Sequence, residues 1–226
     1  MKIAVYTSIF GGYDELHETQ FQMEGVDYIC FTDSDIESQT WNIVKSTPIY
    51  KDPNRNAKKY KILPHRYLKN YDYSVWIDGN ILVVNDIRDL VTQHNYQVFD
   101  HNQTQLDPRD CIYDEYNAII GLGQQNGGNY KDNPHLMYNQ IKRYMGEGYP
   151  KNNGLVTNPI ILRNHNDSDV IKTMEDWWNE IKYNSRRDQL SFNYIVWKNG
   201  FNFVYLNGDS RKNKYFLQTG KHRGKK

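Results

Sequence analysis

The strongest chemical signal in the chain is an acid and an amide that directly follow an apolar, aromatic segment. Residues 71–77 are rich in aromatic and β-branched side chains, which is typical of a buried strand. Asp78 and Asn80 come next, separated by Gly79, whose backbone freedom allows both side chains to face one ligand. Mg²⁺ and Mn²⁺ take few oxygen ligands from a protein and the rest from phosphates and water. The segment therefore predicts a metal–diphosphate site at a strand end, although the same residues also suit an ordinary turn.

A second signal is a set of cations placed before a helix-breaking residue. Arg55, Lys58 and Lys61 have near-helical spacing, and the pair Pro64-His65 follows them. A departing diphosphate needs fixed positive charge, so these three cations and His65 are candidate donor-binding residues. A solvated basic helix face and a structural histidine are the simpler interpretations.

A third signal is Asp188, which opens a predicted helix after Arg187 and precedes Gln189. If the reaction transfers a group to a hydroxyl, a carboxylate that faces the reacting carbon can accept the hydroxyl proton in an inverting displacement, and Asp188 is then the candidate general base. Such a weak base would depend on positioning for much of its effect. A purely structural helix cap is the alternative.

Composition restricts the class of protein that can carry these residues. The chain has 226 residues and a formal net charge of +1, so no overall field favours nucleic acid. Its 19 Tyr, 8 Phe and 5 Trp residues can bury a large core and argue against disorder. Two cysteines, Cys30 and Cys111, suit a reduced state, and no apolar run is long enough to span a membrane. We therefore expect a folded, cytoplasmic, single-domain protein over residues 1–226, with a basic and partly flexible tail over 218–226.

The order of predicted elements indicates the fold. Short apolar strands alternate with helical segments, which favours an α/β architecture with a mostly parallel central sheet flanked by helices. The predicted strands lie at 3–7, 28–31, 41–44, 71–77, 155–162 and 201–206, and the predicted helices at 54–63, 86–94, 109–120, 133–145, 168–183 and 187–198. Pro159 predicts that its strand is an edge strand or carries a bulge.

Parallel sheets of this kind bind ligands beyond the carboxyl ends of their strands. Thr7 and Asp33 end the first two strands and so should share an edge with Asp78. If the ligand is a nucleotide sugar, Thr7, Phe10, Tyr13 and Asp33 are candidates for holding its base and ribose, and Gly154, Leu155 and Gln189 are candidates for contacts to its sugar.

Six segments, in this order, resemble a family of GT-A-type, Rossmann-like glycosyltransferases that was long catalogued as a domain of unknown function and has plant cell-wall and virus-encoded members. The resemblance runs from the first strand to about Trp197. The segments are YTSIFGGYD at 6–14, YICFTD at 28–33, PH at 64–65, WIDGN at 76–80, CIYDE at 111–115 and RDQLSF at 187–192.

The resemblance implies transfer of a hexosyl or deoxyhexosyl group from a nucleotide diphosphate sugar to a glycan hydroxyl, with Mn²⁺ or Mg²⁺ bridging protein and diphosphate. UDP is the default nucleotide. Asp78 and Asn80 would be metal ligands at the position of an Asp-x-Asp motif, where Asn80 replaces the usual second acid and lowers the charge of the site. His222 and Lys225 resemble a carboxyl-terminal motif that completes the metal shell and holds phosphate, although their spacing is one residue shorter.

Four further polar residues are candidates for the acceptor or sugar pocket: His101, Asp110, Asp114 and Glu115. A sugar nucleotidyltransferase is one alternative function, but the segment 10–13 lacks the cations of a phosphate loop. A non-catalytic carbohydrate-binding domain is another, since aromatic and Asn side chains suffice for it. A nuclease fits poorly with the neutral charge balance. The sequence also permits the chain to be one domain of a longer polypeptide.

Overall fold

The computed structural model describes residues 1–91 and 94–220. Its nine strands are β1 (Ile3–Ile9), β2 (Val26–Thr32), β3 (Asn42–Lys45), β4 (Tyr73–Ile77), β5 (Ile81–Val83), β6 (Tyr96–Asp100), β7 (Val156–Arg163), β8 (Val204–Leu206) and β9 (Phe216–Gln218) within these described ranges. Six α-helices accompany them there: α1 (Pro53–Ile62), α2 (Pro64–Tyr67), α3 (Ile112–Gln125), α4 (Pro134–Gly146), α5 (Ser168–Tyr183) and α6 (Phe192–Asn199). Short 3₁₀ turns cover Arg88–Leu90, His101–Gln103 and Asp188–Leu190.

Seven strands form the central sheet in the order β3-β2-β1-β4-β7-β6-β8. The first four run parallel, β7 is antiparallel to both of its neighbours, and β6 and β8 run parallel to each other. A small antiparallel pair, β5-β9, lies outside this sheet. This mostly parallel, single-domain α/β fold confirms the fold class expected from the sequence.

The strands alternate side chains between two apolar layers. On β1, Ala4 and Tyr6 belong to one buried cluster, whereas Ile3 and Val5 belong to the other. Because successive strand side chains point to opposite faces, a strand that is covered on both faces must be apolar throughout. Helix α5 covers the first layer with the apolar face expected from its sequence, including the fully buried Trp177.

Pro159 lies in the middle of the sheet, where its missing N–H must be accommodated. Strand β7 sits between β4 and β6, and the register of the β6–β7 pairing shifts between Val98 and Phe99. The bulged alternative for this strand is therefore confirmed, and the edge alternative is wrong. The Pro159 carbonyl accepts a hydrogen bond of 2.7 Å from the Asp78 N–H, which fixes the start of the turn after β4.

Other sequence expectations need correction. The helix expected at 86–94 is a 3₁₀ turn at Arg88–Leu90, and that expected at 187–198 divides into the turn Asp188–Leu190 and α6. Strands β5, β6 and β9 were not expected, because each is only three to five residues long. Gln218, which the sequence analysis assigned to a partly flexible tail, pairs with Ile81 in the β5–β9 sheet.

Within the described residues, no helix combines the length and the apolar character that a membrane span requires.

Candidate active site

Asp78 stands at the carboxyl end of β4, where the sequence placed it. Its Oδ1 accepts hydrogen bonds from Trp76 Nε1 at 2.8 Å and from Lys61 Nζ at 3.1 Å. The Asp78 side chain is 23% exposed, so one side of the carboxylate is held by protein while the residue still reaches solvent. This arrangement suits a ligand that approaches from the sheet edge.

Lys61 joins Asp78 to Asp188. Its Nζ lies 2.8 Å from Asp188 Oδ2, and the Nζ of Lys58 lies at the same distance from that oxygen. Asp188 Oδ1 accepts from the backbone N–H of Gln189 at 3.1 Å. Two lysines from α1 and two carboxylates from β4 and the turn after α5 thus form one linked cluster, which we call the Lys–Asp cluster (Lys58, Lys61, Asp78 and Asp188).

Within the Lys–Asp cluster, the pKa of each group reflects a balance between burial and pairing with opposite charges. Burial alone would raise the pKa of Asp188, but the ammonium groups of Lys58 and Lys61 hold that pKa far below its usual range. Burial disfavours the charged form of Lys61, yet Asp188 and Asp78 outweigh it and raise the Lys61 pKa. For Lys58 burial prevails and its pKa is lowered. Asp188 is therefore a carboxylate at neutral pH and, in this arrangement, a very weak base.

Helix α1 presents both lysines because its two ends are fixed. The Asp52 carboxylate caps the first turn by accepting from Asn54 N at 3.1 Å, and Pro53 occupies the first helical position. At the other end, the fully buried Arg163 donates to the Lys61 carbonyl and to the Tyr6 hydroxyl. The Tyr6 hydroxyl also donates to the Lys61 carbonyl at 2.9 Å. These bonds hold the Lys61 backbone so that its side chain reaches both carboxylates.

The residues after β4 fit a divalent cation that takes most of its ligands from a substrate. Asn80 is buried and its Nδ2 donates to the Gly220 carbonyl at 2.7 Å, whereas the buried Asn80 Oδ1 has no hydrogen-bond partner in the described structure. An orphaned amide oxygen beside a carboxylate is a donor set suited to Mg²⁺ or Mn²⁺. Residues 1–91 and 94–220 hold no group of three His, Cys, Asp or Glu side chains able to bind a metal ion. A cation here would therefore need diphosphate and water oxygens.

The turn that carries Asp78 and Asn80 is closely packed around Gly79. A Cβ added at Gly79 would lie 3.2 Å from the Asp14 carboxylate, so the loop after β1 lies against this turn. The Lys–Asp cluster and the loop after β1 therefore lie at one edge of the sheet.

The first loop is held by Asp33, which the sequence suggested as a ribose ligand. Its Oδ1 and Oδ2 accept from the Gly11 N–H at 3.0 and 3.1 Å, and Gly11 adopts a positive φ of 62°. Tyr13 is half-buried near the charges of Asp14 and Asp78. Phe10 is buried and stacks on Tyr60, so it supports the loop from the core side. Thr7 is buried as well, and its hydroxyl has no partner within the described structure.

The segment before β7 lies beside Gln189, as the sequence anticipated. The Gln189 side-chain amide donates to the Val156 carbonyl at 3.2 Å, and the Val156 N–H donates to Asn193 Oδ1 at 3.1 Å. Gly154 has a φ of 81°, and a Cβ there would lie 2.8 Å from the Tyr205 hydroxyl, so only glycine fits. Leu155 is fully buried and offers its backbone carbonyl to His101.

Two suggested donor-binding residues are engaged elsewhere. Arg55 donates to the carbonyls of Lys182 and Asn184, at 2.6 and 2.8 Å, and so caps the end of α5. His65 Nε2 lies 2.8 Å from Glu175 Oε1, and no hydrogen bond or ion pair joins His65 to the Lys–Asp cluster in the described part of the chain. Burial lowers the His65 pKa. Both side chains connect α1 or α2 to α5.

Two of the four suggested acceptor residues share a cavity. His101 and the buried Glu115 line a space of about 510 Å³ that also contacts Gln189. Asp110 and Asp114 are exposed and do not line it. His222 and Lys225 lie outside the described residues. Residue 220, which precedes them, contacts Asn80 as described above.

Several site residues were not anticipated: Arg163, Arg187, Asn193, Arg109 and Arg211. Arg163 ends the mostly buried strand β7, and an arginine in a buried strand is a signal for a buried interaction. The sequence analysis considered Arg187 only as the residue before Asp188. The remaining three lie outside the six segments of the resemblance and are brought to the site by tertiary folding.

Comparisons with known proteins identify the family of the chain. The sequence profile of the TOD1/MUCI70, glycosyltransferase-like domain matches residues 1–216. The protein described as "Probable hexosyltransferase MUCI70" from Arabidopsis thaliana is 25% identical in an alignment 223 residues long, and the alignment covers 85% of this chain and 37% of the relative. The chain therefore spans little more than a third of that relative's length.

A solved structure gives independent support for the fold. The crystal structure of a glycosyltransferase involved in the glycosylation of the major capsid of PBCV-1 aligns with a TM-score of 0.51 and 8% identity, covering 98% of this chain and 95% of that one. The glycosyltransferase class expected from the sequence is thereby confirmed at the level of family and fold. The chain belongs to the TOD1/MUCI70 glycosyltransferase-like domain family.

Proposed function

We propose that the domain transfers a hexosyl or deoxyhexosyl group from a nucleotide diphosphate sugar, UDP being the nucleotide, to a hydroxyl of a glycan. The observation that carries the proposal is the Lys–Asp cluster at the carboxyl edge of the sheet, next to the orphaned oxygen of Asn80. In the reaction a bond forms between the acceptor oxygen and the anomeric carbon. The bond from that carbon to the diphosphate breaks, the nucleoside diphosphate leaves with the electron pair, and the hydroxyl proton passes to a base.

Asp78 and Asn80 would hold Mn²⁺ or Mg²⁺ through their side-chain oxygens. The metal, when bound, supplies Lewis-acid stabilisation of the charge that develops on the departing diphosphate. Asn80 suits this role because its Nδ2 is already bound to the Gly220 carbonyl, which orients its Oδ1.

Lys58 and Lys61 would provide the fixed cations for the same diphosphate. In the described structure both ammonium groups are bound to Asp188, which keeps them charged and ordered inside the protein. A diphosphate placed beside Asp78 competes for these ammonium groups. Lysines that are already ordered at the site stabilise a leaving group better than lysines that are free in solvent do.

The base role of Asp188 depends on this competition. While both lysines are bound to it, its pKa is too low for effective proton acceptance. We propose that donor binding draws Lys58 and Lys61 towards the diphosphate, which raises the pKa of Asp188 and frees its Oδ2 for the acceptor hydroxyl. If NMR of the product shows inversion at the anomeric carbon, that result supports this route. Retention contradicts it and leaves Asp188 as the residue that orders the lysines.

The other candidate donor-binding residues form two groups, one for the nucleoside and one for the donor sugar. Asp33, which holds Gly11, and Tyr13, which lies near Asp78, would contact the nucleoside. Gly154, Leu155 and Gln189 would contact the donor sugar; Gln189 follows Asp188 and donates to the Val156 carbonyl, next to Leu155 in the chain. A carbohydrate-binding domain without catalysis has no need of two buried lysines paired with a buried acid. A nucleotidyltransferase would need cations in the loop after β1.

Nucleotide binding tests the metal assignment without requiring the acceptor. We expect UDP to bind with Mn²⁺ much more tightly than with chelator in isothermal titration calorimetry. Asn80→Ala should weaken binding with Mn²⁺ by about tenfold or more, because one metal ligand is lost, whereas Asn80→Asp should retain it. The exposed Asn102 offers the control Asn102→Ala, which should bind as the wild type does. Equal UDP affinity with Mn²⁺ and with chelator would remove the metal from the proposal.

A further inference from the structure

The cavity beside Asp188 has a charge that differs from that of the chain as a whole. It measures about 510 Å³ and is bounded by α3, the segment after β6 and the turn that contains Gln189. Its charged lining consists of four cations and two carboxylates: Arg109, Lys131, Arg187, Arg211, Asp107 and Glu115. Burial lowers the pKa of the remaining titratable group, His101, which favours its neutral form. The lining therefore carries an excess of two positive charges, whereas the whole chain carries +1.

Only part of this positive charge is neutralised within the cavity. Arg109 pairs with Asp107 and, at 2.8 Å, with the buried Glu115. Arg187 lies farther from Glu115, at 3.5 Å, and donates to Gln189 Oε1 at 3.3 Å. Its charge also helps to lower the pKa of Asp188, but its buried Nε has no hydrogen-bond partner among the described residues. Arg211 donates to the Leu106 carbonyl at 3.3 Å, and in residues 1–91 and 94–220 it forms no ion pair with a carboxylate.

The remaining lining matches the other chemical features of a sugar. Ile119 and Leu122 on α3 supply apolar surface for the C–H face of a ring, and the amide of Gln189 faces the same space. The backbone N–H of Gln189 is bound to Asp188, so a sugar in this cavity would lie next to the Lys–Asp cluster. Arginine is suited to a carboxylate because its planar group donates two parallel hydrogen bonds.

We infer that this cavity binds an acidic sugar, and specifically a hexuronic acid residue of the acceptor glycan, with Arg211 and Arg187 facing its carboxylate. The inference rests on the proposed glycosyltransferase function and adds the chemical class of the acceptor. A hexuronic acid could also enter as the sugar of the nucleotide donor, which has the same carboxylate chemistry, so the experiment distinguishes these two sources.

The most direct experiment compares two ligands that differ only in the carboxyl group. A trisaccharide of 1,4-linked hexuronic acid and its carboxyl-reduced counterpart are titrated into the wild-type chain with UDP and Mn²⁺ present, at low and at moderate salt. We expect the acidic trisaccharide to bind about tenfold or more tightly than the reduced one, with a difference that shrinks as salt rises. Equal affinity of the two trisaccharides overturns the inference without any variant.

Variants then locate the site. Arg211→Gln should weaken binding of the acidic trisaccharide by about tenfold and leave the weak binding of the reduced one unchanged. Arg88→Gln is the matched control, because Arg88 is exposed, pairs with Asp86 and does not line the cavity. An equal loss in both variants would show a general charge effect and overturn the assignment to this cavity.

The donor source is tested in a separate measurement. Release of UDP from a UDP-hexuronic acid is compared with release from the neutral UDP-hexose. Selective turnover of the acidic donor, with no preference for the acidic trisaccharide, would show that the donor and not the acceptor carries the recognised carboxylate. That result would overturn the inference as stated. Failure of every donor to turn over would instead count against the proposed function, because the trisaccharide comparison requires binding alone.

Discussion

At the scale of single residues, the structure assigns the charges of the site to partners that the sequence did not specify. The sequence predicts Asp188 as a general base that depends on its position, and in the structure its carboxylate is bound to two lysines and to a backbone N–H. Lys58 and Lys61 were expected to face diphosphate, and they instead hold two carboxylates together. A sequence gives the types of charged residue and their spacing along a helix, whereas their pairing is fixed only when α1, β4 and the turn at Asp188 meet.

The cost of removing the Asp188 charge follows from that pairing. Asp188→Asn leaves the buried Lys61 ammonium with Asp78 alone and Lys58 with no carboxylate, so we expect a loss of about 3 kcal/mol or more in the free energy of unfolding. Urea denaturation at pH 7 measures this loss. Asp35→Asn, which removes an exposed carboxylate paired with Lys45, should change stability little. Similar stabilities for the two variants would contradict the burial of the cluster.

The same carboxylate should make wild-type stability depend on acid pH. The folded-state pKa of Asp188 is depressed, so its contribution is complete above the unfolded-state pKa of about 4. It is lost as pH falls below that value, because protons then bind the unfolded chain preferentially. Asp188→Asn should show a shallower decline below pH 4. An unchanged slope in the variant would mean that Asp188 is not paired in solution.

A second titration should appear at milder pH. His165 is buried, its Nε2 donates to the Leu68 carbonyl, and burial lowers its pKa to about 4. Because the unfolded chain binds the proton near pH 6.5, stability should fall between about pH 6.5 and 4, by roughly 3 kcal/mol in all. His165→Gln should flatten this window in thermal denaturation, whereas His135→Gln at an exposed site should not. Parallel pH profiles of the wild type and His165→Gln would refute this assignment.

At the scale of elements, the two ends of α1 decide where the lysines point. The sequence predicts a helix over 54–63 that Pro64 ends or kinks, but the cap by Asp52 and the start at Pro53 are seen only in the structure. The hydrogen bond from the buried Arg163 of β7 to the Lys61 carbonyl could not be predicted, because the two residues are distant in sequence and no motif links them. The same division holds for β7: its proline predicted an irregularity, but the pairing with β4 and β6 that places it in the sheet interior is set by topology.

Arg55 provides a test that separates a structural cation from a donor-binding one. Arg55→Met removes two hydrogen bonds to the end of α5, so we expect a loss of about 2 kcal/mol in the free energy of unfolding and no change in UDP affinity with Mn²⁺. Urea denaturation and calorimetry measure the two quantities, and Arg88→Met serves as the exposed control. Loss of UDP affinity with an unchanged free energy of unfolding would contradict this structural role and support Arg55 as a donor-binding residue.

At the scale of the whole molecule, the sequence predicted more of the fold than of the site. Long apolar strands such as β1 and the amphipathic α5 were recognisable, because their periodicity reflects burial on two faces or on one. Short strands such as β5 and β9 were not, since three residues carry too little pattern. Asp78 and Asn80 were found from a strand end, whereas the cavity with Arg109 and Arg211 depends on contacts between distant segments.

The central claim is that this edge of the sheet activates a nucleotide diphosphate sugar with a divalent cation. The measurement that tests it most directly is release of nucleoside diphosphate from a panel of UDP-sugars without acceptor, with Mn²⁺, with Mg²⁺ and with chelator. We expect slow release from one donor, lost with chelator and in Asp78→Ala, while Arg88→Gln behaves as the wild type does. Release that persists in Asp78→Ala and in chelator, or the absence of both binding and release for every donor and metal, would contradict the account.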